Sequence, residues 1–279
     1  VATGPVLAWP DQTAALNDAK QATVNVRPTL VADAINGRPA LRFNGVNTSV
    51  VMPNIMAGAT QGEVFAVLKV TAPLDANPHS LWTLGSGENW YPLNNTSKLI
   101  ERFGTTGTPT GATPQANLTL PHFYNVSAAS SGAWSSRING VTYLSITGNT
   151  VSFSVATPAL GRTFAGDIAE VMVYDNVLSA ADRQAVEAYL AQKYAIAIVA
   201  PGTPASFTAT VNAGGQVALS WVPGSGSVPG TKYTLERQSG SGGFVPVAEI
   251  WDGQGFVDQS AAGGSTYNYR IKATNSVGS

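Results

Sequence analysis

The chain has 279 residues with 15 Lys and Arg against 16 Asp and Glu, so its formal net charge is −1, and a basic surface for nucleic acid or anionic lipid is excluded. The sequence contains no cysteine, which excludes disulfides, thiolate metal sites and a cysteine nucleophile. Hydrophobic residues make up 44% of the chain, yet no apolar run approaches the roughly 18 residues of a membrane span, so we predict a globular fold without membrane insertion.

Short β-strands are the predicted elements of most of the first two hundred residues. Alternating polar and apolar residues, and short apolar runs, are separated by Gly, Pro and Asn, which is typical of a β-sandwich or barrel. The clearest strands are residues 63–70, 98–103 and 168–174. We therefore predict an all-β first domain over residues 1–198.

One helix is predicted late in this domain, over residues 180–194. Ser179 is a favourable N-cap residue, and Asp182 three positions later gives an acidic variant of the capping box. Bulky side chains then recur at three-to-four-residue spacing, so one face of an amphipathic helix is expected to pack against the domain. These side chains are Val186, Tyr189, Leu190, Lys193 and Tyr194.

A second domain is predicted after a change in composition. Residues 199–205 are rich in Pro and Gly and read as a short, semi-rigid linker. Residues 206–279 have the length and strand rhythm of one small immunoglobulin-like sandwich. Its predicted strands are residues 216–221, 232–237, 244–250 and 266–274.

The second domain carries a specific pattern in Pro204, residues 219–221, residues 233–237 and residues 267–278. With these residues it resembles a fibronectin type III domain. The resemblance implies that Tyr267 occupies the tyrosine-corner position, where the hydroxyl bonds the backbone upstream. It also implies that Ser279 falls before the last strand of that family, so we expect this sandwich to lack its final strand.

The first domain carries its own pattern in residues 6–12, 27–31, 36–45, 137–140 and 164–175. With these residues it resembles the laminin G-like, concanavalin A-like jelly roll of bacterial surface proteins. The resemblance implies two curved antiparallel sheets and a frequent role in binding carbohydrate. The same fold also serves as a protein-binding module and as a spacer, so it does not by itself imply a ligand.

The acidic and histidine residues do not predict an enzyme. Glycoside hydrolases of this fold place paired carboxylates on one face of a strand. Asp167 and Glu170 are three residues apart and would point to opposite faces of a regular strand, as would Glu170 and Asp175, so we interpret them as framework residues. His79 and His122 each follow a proline and lack a nucleophile motif or zinc spacing.

The sequence leaves open whether the first domain binds calcium. Related jelly rolls often hold Ca²⁺ with Asp, Asn and backbone oxygens. The family pattern has more acid at two positions where this chain has Asn, which weakens any site, so no cofactor is predicted and Ca²⁺ stays a disfavoured alternative. The oxygen donors in rim-like turns are Asp11, Asp18, Asp33, Asn44 and Asn47.

The predicted ligand site is a cluster of aromatic and amide residues. A sugar needs an apolar face for its C–H groups and polar groups for its hydroxyls. Alternation places Leu99 and Phe103 on a core face, so one of Trp90 and Tyr91 joins the core and the other lies outside beside Arg102; the sequence does not choose between them. The candidate ligand-binding residues are Asn89, Trp90, Tyr91, Asn94, Arg102 and Trp134.

The function predicted from these features is a non-catalytic, lectin-like module that binds polysaccharide or another glycan. Charged residues make up only 11% of the chain, which is typical of an extracellular or cell-surface protein. The alternative is a structural or adhesive building block of a surface protein or filament, with neighbouring copies or domains as partners, because an unpaired strand edge would invite strand addition.

Overall fold

The computed structural model describes residues 3–71, 73–107, 111–114, 116–197, 200–224, 232–251 and 253–274. Within these residues the chain is all-β with one α-helix, which confirms the predicted fold class. The chain divides into two compact units, Val1–Leu190 and Ala191–Ser279. The predicted domain limits, 1–198 and 206–279 with a linker between them, stay predictions. Among the described helices, none is long and apolar enough to span a membrane.

The strands of the first unit pair antiparallel in two sheets. The strands are β1 Gly4–Pro5, β2 Ala8–Trp9, β3 Ala19–Lys20, β4 Thr29–Ile35, β5 Arg38–Asn44, β6 Val50–Val51, β7 Gly62–Val70, β8 His122–Ala128, β9 Trp134–Ile138, β10 Val141–Ile146, β11 Ala159–Leu160 and β12 Ala165–Tyr174. A short 3-10 helix, Val24–Val26, lies between β3 and β4. The larger sheet has eight strands in the order β1-β4-β5-β12-β7-β8-β9-β10, and the smaller has four in the order β11-β6-β3-β2.

Two Asn-Gly turns set the register of hairpins in the larger sheet. Asn36 and Gly37 join β4 to β5 with φ values of 46° and 77°, and Asn139 and Gly140 join β9 to β10 with φ values of 50° and 77°. A two-residue hairpin loop of this type requires positive φ at both positions, and Asn-Gly tolerates it best. The turns fix the pairing next to each loop, and a register shift follows in each hairpin, between Val31 and Ile35 and between Thr142 and Leu144.

The two sheets enclose one hydrophobic core, which makes the first unit a sandwich. Val64 and Leu68 enter the core from the larger sheet, and Val50 and Leu160 enter it from the smaller one, each with at most 1% of its surface exposed. The opposite face of β7 is also buried, since Phe65 on that face is fully covered. Burial on both faces explains why β7 is nearly continuously apolar.

The helix, α1, spans Ala180–Tyr194 as predicted. The Ser179 hydroxyl accepts the Asp182 backbone N–H at 3.1 Å and donates to the Asp182 carboxylate at 2.7 Å, so these two residues form the predicted cap. The prediction for Tyr189 was wrong: it is 45% exposed, and its hydroxyl only reaches Glu170 at 3.3 Å. Glu187, one helical turn after Arg183, is buried instead.

A β-bulge in β12 corrects the expected placement of Asp167 and Glu170. Asp167 pairs with Lys69 and Glu170 pairs with Val67, with the register shift between Ile168 and Glu170. Lys69 and Val67 lie on the same face of β7, so the extra residue brings both acids to that face. Asp167 is held by the Arg42 guanidinium at 2.7 and 2.9 Å, which agrees with its interpretation as a framework residue.

The second unit consists of two three-stranded antiparallel sheets. Their orders are β13-β14-β17 and β16-β15-β18. The strands confirm the predicted positions to within a few residues, and the additional strands β13 and β17 complete the first sheet. They are β13 Ala205–Val211, β14 Val217–Val222, β15 Lys232–Ser239, β16 Val245–Trp251, β17 Gly255–Asp258 and β18 Tyr267–Thr274.

The core of this unit is small and takes residues from both sheets. Leu219 and Trp221 of β14 meet Tyr233 and Leu235 of β15. At the start of β18, the Tyr267 hydroxyl accepts the Ala262 backbone N–H at 3.0 Å, the contact that the tyrosine-corner prediction requires. The prediction that the chain stops at Ser279, before the last strand of the family, stays a prediction, because residues 275–279 lie outside the described residues.

Candidate functional site

A short irregular hairpin carries the predicted ligand-binding residues. The Trp90 backbone N–H donates to the Ile100 carbonyl at 2.8 Å, and the Ile100 backbone N–H donates to the Trp90 carbonyl at 3.0 Å. On the other side, Leu99 forms a single bridge to Ala112. The prediction of a regular strand over residues 98–103 was therefore wrong, because this segment is held by isolated bridges.

Alternation along this hairpin resolves which aromatic residue lies outside. Tyr91, Leu99 and Phe103 are buried in the core, with 0%, 2% and 0% of their surface exposed. Trp90, across from Ile100, is partly exposed, and Ile100 and Arg102 are partly exposed as well. Trp90, Ile100 and Arg102 thus share the outward side of the hairpin, and we call them the Trp90 face.

Three of the six predicted site residues are not available to a ligand. Asn89 and Tyr91 have no exposed surface and Trp134 has 1%. The Trp134 indole N–H donates to the Phe103 carbonyl at 2.9 Å, inside the sandwich. The interpretation of these three as ligand contacts is corrected: alternation turns Asn89 and Tyr91 inward, and β9 aims Trp134 at the core.

The structure brings Trp90 and Arg102 together and leaves Asn94 in the turn of the hairpin. The Asn94 side-chain oxygen accepts the Thr96 backbone N–H at 3.0 Å and the Thr96 hydroxyl at 2.5 Å. Asn94 therefore closes the turn between the two arms of the hairpin. Its side chain is partly exposed, so it lies at the margin of the Trp90 face.

Asn89 and Tyr91 hold Trp90 from its two neighbouring positions. The Asn89 amide accepts the Trp82 backbone N–H at 2.9 Å and donates to the Glu101 carboxylate at 3.0 Å. The Tyr91 hydroxyl lies 2.6 Å from Nε2 of His122. With both neighbours fixed inside the sandwich, the backbone of Trp90 is held in one position.

Glu101 is the centre of this buried support. It is 3% exposed and accepts five hydrogen bonds. Burial raises the pKa of its carboxyl, and the five donors hold the acceptor oxygens in place. The donors are the Trp82 indole N–H, the Asn89 amide, the Tyr124 hydroxyl and the backbone N–H groups of Arg102 and Phe103, at 2.8 to 3.0 Å.

His122 is buried in its neutral form. Its Nδ1 lies 2.7 Å from the Leu120 carbonyl, which can only accept, so Nδ1 carries the proton and Nε2 accepts from the Tyr91 hydroxyl. Burial lowers the pKa of His122 to about 4. The sequence did not identify this role, because a lone histidine beside a proline has no pattern that predicts burial.

His122 makes the first unit sensitive to acid. The pKa of His122 is about 4 in the folded chain and near 6.5 in the unfolded chain, so acidification through this window protonates the unfolded state first and lowers stability. We expect the free energy of unfolding to lose about 3 kcal/mol from this residue between pH 6.5 and 4.

Urea titrations of the native chain and of His122→Asn across this pH range measure that contribution as the difference between the two curves. The variant keeps Glu101, whose raised pKa acts in the opposite direction, so the difference isolates the histidine. A difference that is constant from pH 6.5 to 4 would contradict a buried neutral His122.

A polar groove lies on the outer side of the smaller sheet. Its floor is the antiparallel pair Val51 and Ala159, of β6 and β11. Glu88 and Arg162 form an ion pair of 3.0 Å at its wall, and both side chains are about half exposed, at 46% and 49%. The groove has a volume of about 410 Å³, and sequence analysis did not find it because Arg162 and Glu88 are far apart along the chain.

Two of the predicted oxygen donors for calcium, Asp11 and Asn44, serve as turn-forming acceptors, and the expected turn at Asp33 was wrong because Asp33 lies within β4. The Asp11 carboxylate accepts the backbone N–H groups of Thr13 and Asn17, both at 2.9 Å, and these bonds lower the pKa of Asp11. The Asn44 side-chain oxygen accepts three backbone N–H groups of its own turn. Among the described residues, no group of three or more His, Cys, Asp or Glu is arranged to hold a metal ion.

Comparison with known proteins gives a likeness in structure alone. No protein-family model matches the chain, and no curated protein matches its sequence. Among solved structures, the receptor binding domain of botulinum neurotoxin D is 12% identical, with a TM-score of 0.49 over 91% of this chain and 72% of that chain.

Two further solved structures show a similar degree of likeness. The botulinum neurotoxin serotype D ligand binding domain in complex with N-acetylneuraminic acid is 14% identical, with a TM-score of 0.46 over 91% of this chain and 70% of that chain. The binding domain of Paraclostridial Mosquitocidal Protein 1 is 9% identical, with a TM-score of 0.47 over 78% of this chain and 63% of that chain. Likenesses of this size carry no argument about what this chain binds.

Proposed function

We propose that the first unit is a non-catalytic, lectin-like module that binds a glycan on the Trp90 face, as part of an extracellular or cell-surface protein. In this proposal the unit is a laminin G-like jelly roll, and the second unit is a fibronectin type III domain. The observation that carries the proposal is the outward position of Trp90 between two buried, hydrogen-bonded neighbours, Asn89 and Tyr91.

The chemistry of the Trp90 face supports a sugar ligand. The indole of Trp90 and the side chain of Ile100 offer an apolar surface to the C–H groups of a pyranose ring. The Arg102 guanidinium on the same side offers donors for sugar hydroxyls. A preformed apolar surface with a few fixed polar groups is the general form of a small-molecule site.

Trp90→Ala is expected to weaken glycan binding about 30-fold or more, which corresponds to about 2 kcal/mol. A tryptophan side chain that a ligand covers on binding is a typical hot spot. A glycan array identifies the sugar, and isothermal titration calorimetry measures the affinity of the native chain and the variant. Tyr189→Ala is the matched control, since Tyr189 is an exposed aromatic residue on α1.

Two results would end this proposal. One is the absence of binding to any glycan on the array. The other is a glycan that binds with equal affinity to the native chain and Trp90→Ala, provided that both proteins are folded by circular dichroism.

A further inference from the structure

The groove beside the Trp90 face has the size and lining of a second binding subsite. Its volume of about 410 Å³ lies within the range of ligand pockets, about 300–1,000 Å³. Val51 on its floor is 40% exposed, so the floor offers an apolar surface. Asn47, Thr157 and the Glu88–Arg162 ion pair line the groove with amide, hydroxyl, carboxylate and guanidinium groups.

Glu88 links this groove to the Trp90 face. Exposure alternates along the segment: Glu88 is exposed, Asn89 buried, Trp90 partly exposed and Tyr91 buried. Glu88 and Trp90 therefore project to the same side, with Cα atoms at most about 7 Å apart in an extended chain. This separation is comparable with the length of one pyranose ring.

Arg102, on the Trp90 face, also lies close to the segment that carries Glu88. The Ser86 backbone N–H donates to the Arg102 carbonyl at 3.1 Å, which places residues 86–88 beside Arg102. Arg162 pairs with the Glu88 carboxylate at 3.0 Å, and the Arg102 side chain lies beside Gly87, the residue before Glu88. A ligand that extends from the indole of Trp90 towards Arg162 has to pass over Glu88.

We infer that the site takes an oligosaccharide with at least two adjoining sugar units, one on the Trp90 face and the next in the groove. Glu88 lies at the junction, where its carboxylate accepts hydroxyl groups from the ligand. In the groove, Val51 contacts the apolar face of the sugar, while Asn47, Thr157 and Arg162 bond its hydroxyls. This inference rests on the proposed function and adds a ligand class to it.

The test is a chain-length series of the glycan identified on the array, measured by isothermal titration calorimetry as one, two and three sugar units. We expect affinity for the native chain to rise at least tenfold from one unit to two or three. Thr157→Tyr fills the groove from an exposed position and is expected to remove this gain while binding of a single unit is retained. Arg162→Met removes a groove contact without filling the groove and is expected to reduce the gain.

The controls separate this inference from the proposed function. Thr210→Tyr places the same substitution on an exposed strand residue of the second unit and is expected to leave the series unchanged. Affinity that is independent of chain length, or a gain that both groove variants retain, overturns the inference while loss of binding in Trp90→Ala still supports the proposed function. If no glycan binds at all, the proposed function and the inference are both overturned.

Discussion

Glu101→Gln is expected to lower the free energy of unfolding of the first unit by about 2 kcal/mol, and Glu101→Leu by about 5 kcal/mol. The glutamine keeps one acceptor oxygen but turns an amide group towards the Asn89 amide, which also donates. The leucine removes the acceptor of all five donors, although the Tyr124 hydroxyl keeps the Tyr143 hydroxyl as a partner at 3.3 Å. A buried donor that loses its partner costs about 1–3 kcal/mol, so the loss accumulates with the number of donors.

Urea denaturation followed by hydrogen-exchange mass spectrometry measures these losses on peptides of the first unit alone. Glu88→Gln is the matched control, because Glu88 is 46% exposed and paired with a half-exposed arginine. An exposed ion pair of this kind contributes about 0–1 kcal/mol. Equal stability of Glu101→Gln and Glu88→Gln would show that the Glu101 network does not support the core.

Glu63→Gln is expected to destabilise the attachment of α1 to the larger sheet by about 3 kcal/mol. The Glu63 carboxylate has no exposed surface. It accepts hydrogen bonds from Nε–H of Arg183 at 2.6 Å and from the Asn125 side-chain amide at 2.9 Å. It also accepts the Leu178 backbone N–H at 2.9 Å, just before the helix begins. Loss of the charge removes the carboxylate that pairs directly with Arg183, which is only 15% exposed.

Hydrogen exchange of the α1 amides in the native chain and in Glu63→Gln tests this expectation directly. In the double variant Glu63→Gln with Arg183→Met, the loss should be smaller than the sum of the two single losses, because the buried arginine is gone as well. Lys20→Met, which breaks an exposed pair with Asp18, is the control and should change stability by less than about 0.5 kcal/mol. Unchanged exchange of α1 in Glu63→Gln would contradict an anchoring role for Glu63.

Local signals in the sequence predicted the helix and most strands correctly. Ser179 and Asp182 fix the start of α1 through contacts within one helical turn, so no distant residue is needed to find it. The strand around residues 63–70 is apolar on both faces and is recognisable from composition alone. Alternation also narrowed the outward aromatic residue to Trp90 or Tyr91.

The features that sequence analysis missed depend on distant partners. Glu101 interrupts an apolar alternation, and only its contact with Trp82 and Tyr124 explains why a carboxylate is buried there. The bulge before Glu170 shifts the strand by one residue and has no strong signature in the sequence. Arg162 meets Glu88 only because the smaller sheet and the hairpin converge in the fold.

The candidate site in the structure has fewer ligand-facing residues than the site predicted from the sequence. In the proposed function, the buried Asn89 and Tyr91 position Trp90 and do not contact the ligand. Their substitution is therefore expected to act mainly through lost stability, whereas Trp90→Ala is expected to remove the proposed ligand contact and also to lower stability, because Trp90 is only partly exposed. The alternative of a structural or adhesive building block stays a prediction, since it depends on partners of the whole protein.

The most direct measurement follows the indole N–H signals of the six tryptophans by NMR during titration with the glycan from the array. Trp90→Phe assigns the Trp90 signal by its disappearance. We expect a saturable shift of the Trp90 signal, while the signals of Trp82 and Trp134, whose indole N–H groups are bonded inside the sandwich, stay in place. Saturable binding that leaves the Trp90 signal unmoved would rule out a glycan site at Trp90.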